Sequence, residues 1–338
     1  MTNQTTASDS SHAGLRWGIL ATGGIAHAFT RDLRTAGREV VAVGSRTPES
    51  ASRFAAEHDI PHAHGSYEEL AADPDVNIIY VATPHPGHRD AAALAIQHGK
   101  HVLVEKPFTL NRDEAVALRD LAADAGVLVM EAMWTRYLPH MVRLREIIDA
   151  GTLGDVRTVV ADHTQRISDA PSHRLNDLSL GGGALLDLGI YPVSFVCDLL
   201  GLPTEVRAVA RLQETGADAE VATVMSHPSG AISTTVSSSR GAGPNTAHII
   251  GTEARIEISG VWYAATDFRV VAHDGTVIEE YRTEIDGRGM QFQALEAEAL
   301  VAAGRIDGDI LPIDETVGIM GVLDDIRAQI GVRYPQEG

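Results

Sequence analysis

The stretch Gly18-Ile19-Leu20-Ala21-Thr22-Gly23-Gly24-Ile25-Ala26 decides the fold. It ends an apolar run over 16–20 that reads as a strand, and it opens a helical pattern over 25–35. A glycine-rich turn between strand and helix is the context of a dinucleotide fingerprint, because the helix start offers free N–H groups to a pyrophosphate. The motif departs from G-x-G-x-x-G: Ala21 holds the first glycine position, Gly23 the second and Ala26 the third. Gly23 matters most, since a side chain there blocks backbone approach to the phosphates. Ala26 still permits close helix packing, and Thr22, Gly24 and Ile25 complete the candidate loop.

Outward from this loop, short apolar runs alternate with helical patterns. Expected strands cover 16–20, 39–45, 77–83, 101–105 and 127–130; expected helices cover 25–35, 48–58, 88–99 and 111–125. Pro48 suits a helix N1 position and Asn111 an N-cap. Continuous apolar strands separated by helices predict a parallel sheet covered on both faces. After residue 150 the rhythm changes to strands at 153–165, 205–213, 220–227, 231–239, 247–258, 268–273 and 277–284, with turns at Pro228-Ser229-Gly230 and His273-Asp274-Gly275. Two helices near 289–303 and 314–331 follow. The expected class is α/β: an N-terminal Rossmann domain over 15–133, then an α/β domain over 134–338 with a large open, mostly antiparallel sheet. Residues 1–14 read as a disordered tail, and the last helix is free to return to the first domain.

The second expected strand ends at Gly44-Ser45-Arg46-Thr47. An acid that would bind a ribose 2′-hydroxyl is absent there, while Ser45 can donate a hydrogen bond and Arg46 can pair with a 2′-phosphate. This favours NADP over NAD, although Arg46 stacked on adenine would also suit NAD. The third apolar strand ends at Thr83-Pro84-His85-Pro86-Gly87-His88, at the sheet edge where ligands bind. Thr83, His85 and His88 are therefore candidate cofactor-side groups. The pairs His85/His88, His62/His64 and His98/His101 have ligand-like spacing, but no cysteine or acidic cluster accompanies them, so no metal is expected.

The chemistry is expected at Glu105-Lys106-Pro107 and at Gly182-Gly183-Ala184-Leu185-Leu186-Asp187-Leu188-Gly189-Ile190-Tyr191. Asp187 and Tyr191, spaced i, i+4, leave one face of a helix that the glycine run opens. Lys106 follows a strand-like run. A lysine, a tyrosine and a carboxylate converging on one pocket can carry acid–base work on a hydroxyl or carbonyl. Either Tyr191 is the proton carrier, with Lys106 holding the oxygen and lowering the tyrosine pKa, or Lys106 is the base and Tyr191 orients. Asp187 orients Lys106 or binds a substrate hydroxyl. Trp134 offers a flat wall to a ring or belongs to a domain-junction core; Arg136 and Arg174 are further substrate-side candidates.

Composition bounds the partners. A net charge of −19 disfavours nucleic acid and anionic membranes. The single cysteine, Cys197, excludes an internal disulfide and fits a reducing, cytoplasmic compartment as a buried thiol. No uninterrupted apolar run reaches the roughly 18–20 residues that span a bilayer. An open sheet that two terminal helices cannot cover predicts a homodimer or higher homo-oligomer.

With Gly18 to Ala26, Thr83 to His88, Glu105-Lys106-Pro107 and Gly181 to Tyr191 in view, the chain after residue 15 resembles the glucose–fructose oxidoreductase/inositol dehydrogenase (Gfo/Idh/MocA) family. Trp17 to Leu20 and Met130-Glu131-Ala132-Met133-Trp134-Thr135-Arg136 look most like its dihydrodiol dehydrogenase and NADP-dependent xylose dehydrogenase branch. The closing stretch from Ile326 to Pro335 adds support. The resemblance implies a Rossmann domain, an oligomerising sheet domain, and Lys106 and Asp187 near the nicotinamide and the reacting carbon. Many relatives carry His where this chain has Tyr191; the branch uses Tyr. The implied function is NADP-dependent hydride transfer to or from a secondary alcohol or ketone carbon of a sugar or cyclic diol. An NAD-dependent inositol or sugar dehydrogenase and a non-catalytic nucleotide-binding sensor are the alternatives.

Overall fold

The structure is a computed structural model that describes residues 14–337; the expected N-terminal tail lies, except for Gly14, outside the described residues. The first part runs β1(Trp17–Leu20), α1(Gly24–Thr35), β2(Val40–Gly44), α2(Pro48–Glu57), β3(His62–His64), α3(Tyr67–Ala72), β4(Ile78–Val81), α4(His88–Gln97), β5(His101–Glu105), α5(Arg112–Ala125) and β6(Val129–Ala132). All strand pairs are parallel, in the order β3-β2-β1-β4-β5-β6. The order reverses between β1 and β4, and the crevice beyond their carboxyl ends is where such sheets bind ligands. β1, β2 and β4 are buried throughout, as strands covered on both faces must be. Local chemistry sets the helix starts: Thr47 accepts from Ser50 N ahead of Pro48, and Asn111 accepts from Glu114 N.

α6(Pro139–Asp149) leads to the second part: β7(Val156–Thr164), α7(Ile190–Leu200), β8(Glu205–Leu212), β9(Asp218–Ser226), β10(Ile232–Ser238), β11(Ala247–Gly251), β12(Ala254–Ile258), β13(Phe268–Ala272), β14(Val277–Tyr281), α8(Gln291–Ala302) and α9(Ile313–Ile330). The eight strands form one sheet, β14-β13-β12-β11-β7-β10-β9-β8, antiparallel except for β7 with β10. α7 packs on one face, against β7 and β10. α9 lies against α5 and β8, and so ties the second sheet to the first part of the chain.

The structure departs from expectation at β3, α3, α6 and the stretch 247–258. β3 and α3 carry no apolar run long enough to announce them, and α6 follows Pro139 at its N1 position. The expected strand over 247–258 is a hairpin, β11 paired with β12, because a Cβ on Gly251 would stand 2.1 Å from Leu153 O and the chain turns there. Leu178–Leu200 is apolar enough to span, at mean hydropathy 1.5, but 83% of that window is buried within the fold, so this is core.

Candidate active site

The β1–α1 loop forms one wall of a cavity of about 590 Å³. Ala21 has φ 77°, the left-handed region that the first glycine of the motif ordinarily occupies. Gly23 has φ −76° and therefore does not need glycine for its backbone. A Cβ on Gly23 or Gly24 would meet no protein atom within 4 Å. The space is open above a helix start that has no side-chain cap, which fits a pyrophosphate of a dinucleotide. Ile25 lines the cavity and Ala26 is buried beneath it. At the end of β2, Ser45 is buried and its N–H donates to His64 O at 3.2 Å; Arg46 is exposed and pairs with no carboxylate among the described residues.

The opposite wall is the start of the helix that becomes α7. Leu185–Gly189 form a widened π-turn, of the kind often found at functional sites. Asp218 on β9 caps it, accepting from Leu185 N at 2.6 Å. Gly183, at φ 129°, would place a Cβ 2.2 Å from Asp218 Oδ1, so both conformation and space demand glycine there. From the chain's other end, Tyr334 OH donates to Gly182 O at 3.1 Å, with Arg327 over the Tyr334 ring and bound to Glu337.

Lys106, at the end of β5, projects between these walls. Its Nζ donates to Asp187 O at 2.7 Å and to Asp187 Oδ1 at 3.1 Å, and stands 5.0 Å from the Tyr191 ring centroid. Arg174 donates to both Asp187 oxygens, at 3.3 and 3.0 Å, from a half-exposed position at the cavity mouth. Burial works against the Asp187 carboxylate, but Lys106, Arg174 and His85 outweigh it and hold its pKa far below the usual range. Burial likewise opposes the Lys106 charge, yet Asp187, Tyr191 and Glu105 together raise its pKa. Beneath Lys106, Glu105 is buried and accepts from Tyr80 OH.

Tyr191 corrects one expectation. Burial raises its pKa and the Lys106 charge does not reverse this, so the group is a phenol at neutral pH. Its oxygen accepts from Trp134 Nε1 at 3.0 Å. Trp134 is consequently not a wall of the cavity: it is buried behind Tyr191, under the Arg288 guanidinium at 5.1 Å. Arg136 is also corrected. It is sealed away from the cavity in ion pairs with Asp198 (3.0 Å) and Glu315 (2.7 Å).

Thr83 and His85 line the cavity. His85 Nδ1 lies 3.1 Å from Gly181 O, and burial lowers its pKa to about 3, so it is neutral. His88 is buried as a clamp, its ring nitrogens 2.8 and 2.9 Å from Pro107 O and Thr83 O. Sequence reasoning missed His163, Tyr263, Arg288 and Asp218. His163 stacks on Tyr263 at 3.7 Å and meets Tyr191 edge-on at 4.9 Å; burial, then Lys106, lowers its pKa to about 3. Its only signal was an inward-facing histidine near the end of β7. No acidic cluster is expected beside the histidine pairs; one carboxylate, Asp73, touches both His62 and His64.

Residues 15–133 match the oxidoreductase family with an NAD-binding Rossmann fold, and residues 141–257 match the GFO/IDH/MocA C-terminal domain. The chain is 36% identical to mouse trans-1,2-dihydrobenzene-1,2-diol dehydrogenase over 96% of its own length and 99% of the relative's; the human enzyme is equally similar, over the same shares. Among solved structures, the aldose-aldose oxidoreductase from Caulobacter crescentus complexed with glycerol superposes with a TM-score of 0.85 at 26% identity, over 94% of this chain and 97% of that one. A 3-ketoreductase from Actinomadura kijaniata in complex with NADP shares the fold, at a TM-score of 0.82 and 24% identity, over 94% and 98%. With the nucleotide loop, the Lys106–Asp187 pair and Tyr191 meeting in one cavity, the chain belongs to the Gfo/Idh/MocA family, the NAD(P)-dependent oxidoreductases of CH–OH groups.

Proposed function

We propose that the protein is an NADP-dependent oxidoreductase that interconverts a secondary alcohol and a ketone on a sugar or cyclic diol. The observation that carries this reading is the convergence of Lys106, Asp187 and Tyr191 beside a glycine loop open to a dinucleotide. The bound cofactor supplies the hydride at nicotinamide C4. An ammonium has three N–H donors, and Asp187 takes two of those of Lys106, which leaves one for the substrate oxygen. Tyr191 accepts from Trp134, so its own proton is free to be donated. In the reducing direction Tyr191 protonates the carbonyl oxygen while Lys106 holds it; oxidation runs the same path backwards. Asp187 keeps Lys106 charged and aimed, and Arg174 is a substrate-side cation at the mouth. His85, His163 and Tyr263 complete a polar, aromatic lining suited to a hydroxylated ring.

The free guanidinium of Arg46 supports the choice of NADP. Val160, Val209, Val224, Ile232, Val236 and Ile250 form an exposed apolar face on the second sheet, which supports a homodimer closed across it. The lone buried Cys197 supports a reducing cytoplasmic setting. The test is steady-state turnover with NADP and NAD against a panel of aldoses, ketoses, inositols and cyclic diols. Turnover with NADP and at least one member is expected. Nucleotide binding without turnover on any of them would overturn the enzymatic reading in favour of a sensor.

A further inference from the structure

Outside the cavity, one cluster is built from groups that the chemistry above does not use. His62 and His64 lie two residues apart on β3, an edge strand, and so share a face. His62 Nδ1 and His64 Nε2 stand 2.7 and 2.8 Å from the same oxygen, Asp73 Oδ2. Asp73 is buried and fixed: its Oδ1 accepts from Asp75 N at 2.8 Å, and its carbonyl accepts from Lys100 Nζ at 2.7 Å. The two rings remain partly open to solvent, with side chains 38% and 23% exposed.

We propose that His62 Nδ1, His64 Nε2 and Asp73 Oδ2 bind one divalent transition-metal ion of the zinc class, with water completing the coordination. Two imidazoles and one carboxylate suit zinc, and no soft sulfur is present to select Cu(I). At bond lengths of about 2.0–2.2 Å, tetrahedral ligand atoms lie roughly 3.3 Å apart, so each N···O gap opens by about half an ångström. Small rotations of the two half-open rings supply that. The ion replaces the ring N–H groups that now face Asp73, so binding releases those protons. Burial would raise the Asp73 pKa, but hydrogen bonds from His62 and His64 hold it to about 2, so the carboxylate is ionised at neutral pH. Lys100 and Arg16 are the neighbouring cations and Asp75 the neighbouring carboxylate. Because Ser45 N donates to His64 O, a bound ion stiffens the strand beside the Ser45-Arg46 turn.

A second cluster serves as the internal control. His27 Nδ1 lies 2.7 Å from His58 Nε2, with Glu57 Oε1 3.3 Å from His27 and 3.9 Å from His58, so here the two rings bond each other rather than one shared, buried carboxylate oxygen. The experiment titrates the full-length protein with Co(II), read by its visible absorption, and with Zn(II) in competition with a chromogenic chelator. One equivalent should bind with a tetrahedral Co(II) spectrum. His62→Gln, His64→Gln and Asp73→Asn should each weaken binding by at least the roughly 10- to 100-fold that loss of an outer-shell partner costs. His58→Gln should leave it unchanged. His62 is exposed enough for its variant to fold, which near-ultraviolet circular dichroism checks. No saturable binding by the wild type, binding retained in His62→Gln, or binding lost in His58→Gln would each overturn the proposal.

Discussion

Two buried ion-pair clusters hang on the same helix and do opposite things. Near its start, Asp187 gathers Lys106 and Arg174; near its end, Asp198 gathers Arg136 and Arg145. The Arg136 guanidinium spends every donor: on Ser194 Oγ and O, Ile310 O, Asp198 and Glu315. Its side chain is 3% exposed. Lys106 keeps one N–H unspent, and Arg174 is 57% exposed. The saturated cluster is a fastener and the unsaturated one is a tool. What separates them is spare hydrogen-bonding capacity facing a cavity, not charge.

Breaking the tool should cost rate and leave the fold. Tyr191→Phe is expected to lower turnover about 10²- to 10⁴-fold with cofactor affinity nearly unchanged, and Lys106→Met at least as much. The double variant should be far less than multiplicatively worse, since the two act on one oxygen. Full steady-state activity in Tyr191→Phe would assign the proton to Lys106. Breaking the fastener should do the reverse. Arg136→Met takes that partner from the deeply placed Asp198, which keeps only Arg145, and from the half-buried Glu315, and should cost about 3–5 kcal/mol by urea denaturation, with turnover per folded molecule retained. Loss of turnover in a folded Arg136→Met would erase the distinction.

Beside the fastener, Glu131 is buried, and burial, only partly offset by Arg136, raises its pKa from 4.5 to about 7. The folded state therefore holds a proton that the unfolded state releases. Stability should be fullest below about pH 4.5 for this group and fall as pH rises to about 7, by an amount of the order of 3 kcal/mol. Glu131→Gln should flatten that slope, as read from denaturation midpoints at pH 5 and pH 8. An unchanged slope would show that Glu131 is ionised in the fold.

The cofactor loop gives smaller effects. Arg46→Ala should weaken NADP by about 1.5–3 kcal/mol, roughly tenfold to hundredfold, and barely change NAD, measured by fluorescence titration. Equal affinities in wild type and variant would remove Arg46 from the 2′-phosphate. Ala21→Gly relieves a left-handed alanine, a gain of roughly 1–2 kcal/mol, against the roughly 0.5–1 kcal/mol of added chain entropy. A net stabilisation of at most about 1.5 kcal/mol is expected; a clear loss would mean that the Ala21 side chain packs usefully.

Legibility in the sequence followed the range of the physics. Helices with local caps, such as those after Thr47 and Asn111, and strands buried on both faces declared themselves through nearest neighbours and period. β3 did not, because His-Ala-His at a sheet edge carries no apolar signal. The trio Lys106, Asp187 and Tyr191 was legible because each sits in a short motif. The separate fates of Arg136 and Arg174 were not, since they depend on Ser194, Ile310 and Glu315, which only folding brings near. Asp218 was invisible for the same reason: its partner is a backbone N–H more than thirty residues away.

The bond from Tyr334 to Gly182, with Arg327 and Glu337 bracing the tyrosine, has a practical reach. Tyr334 and Glu337 act as a backstop for the glycine run from which the helix carrying Asp187 and Tyr191 springs. A chain cut at Gly331 would keep Lys106, Asp187 and Tyr191 and still lose the stop that sets the helix start.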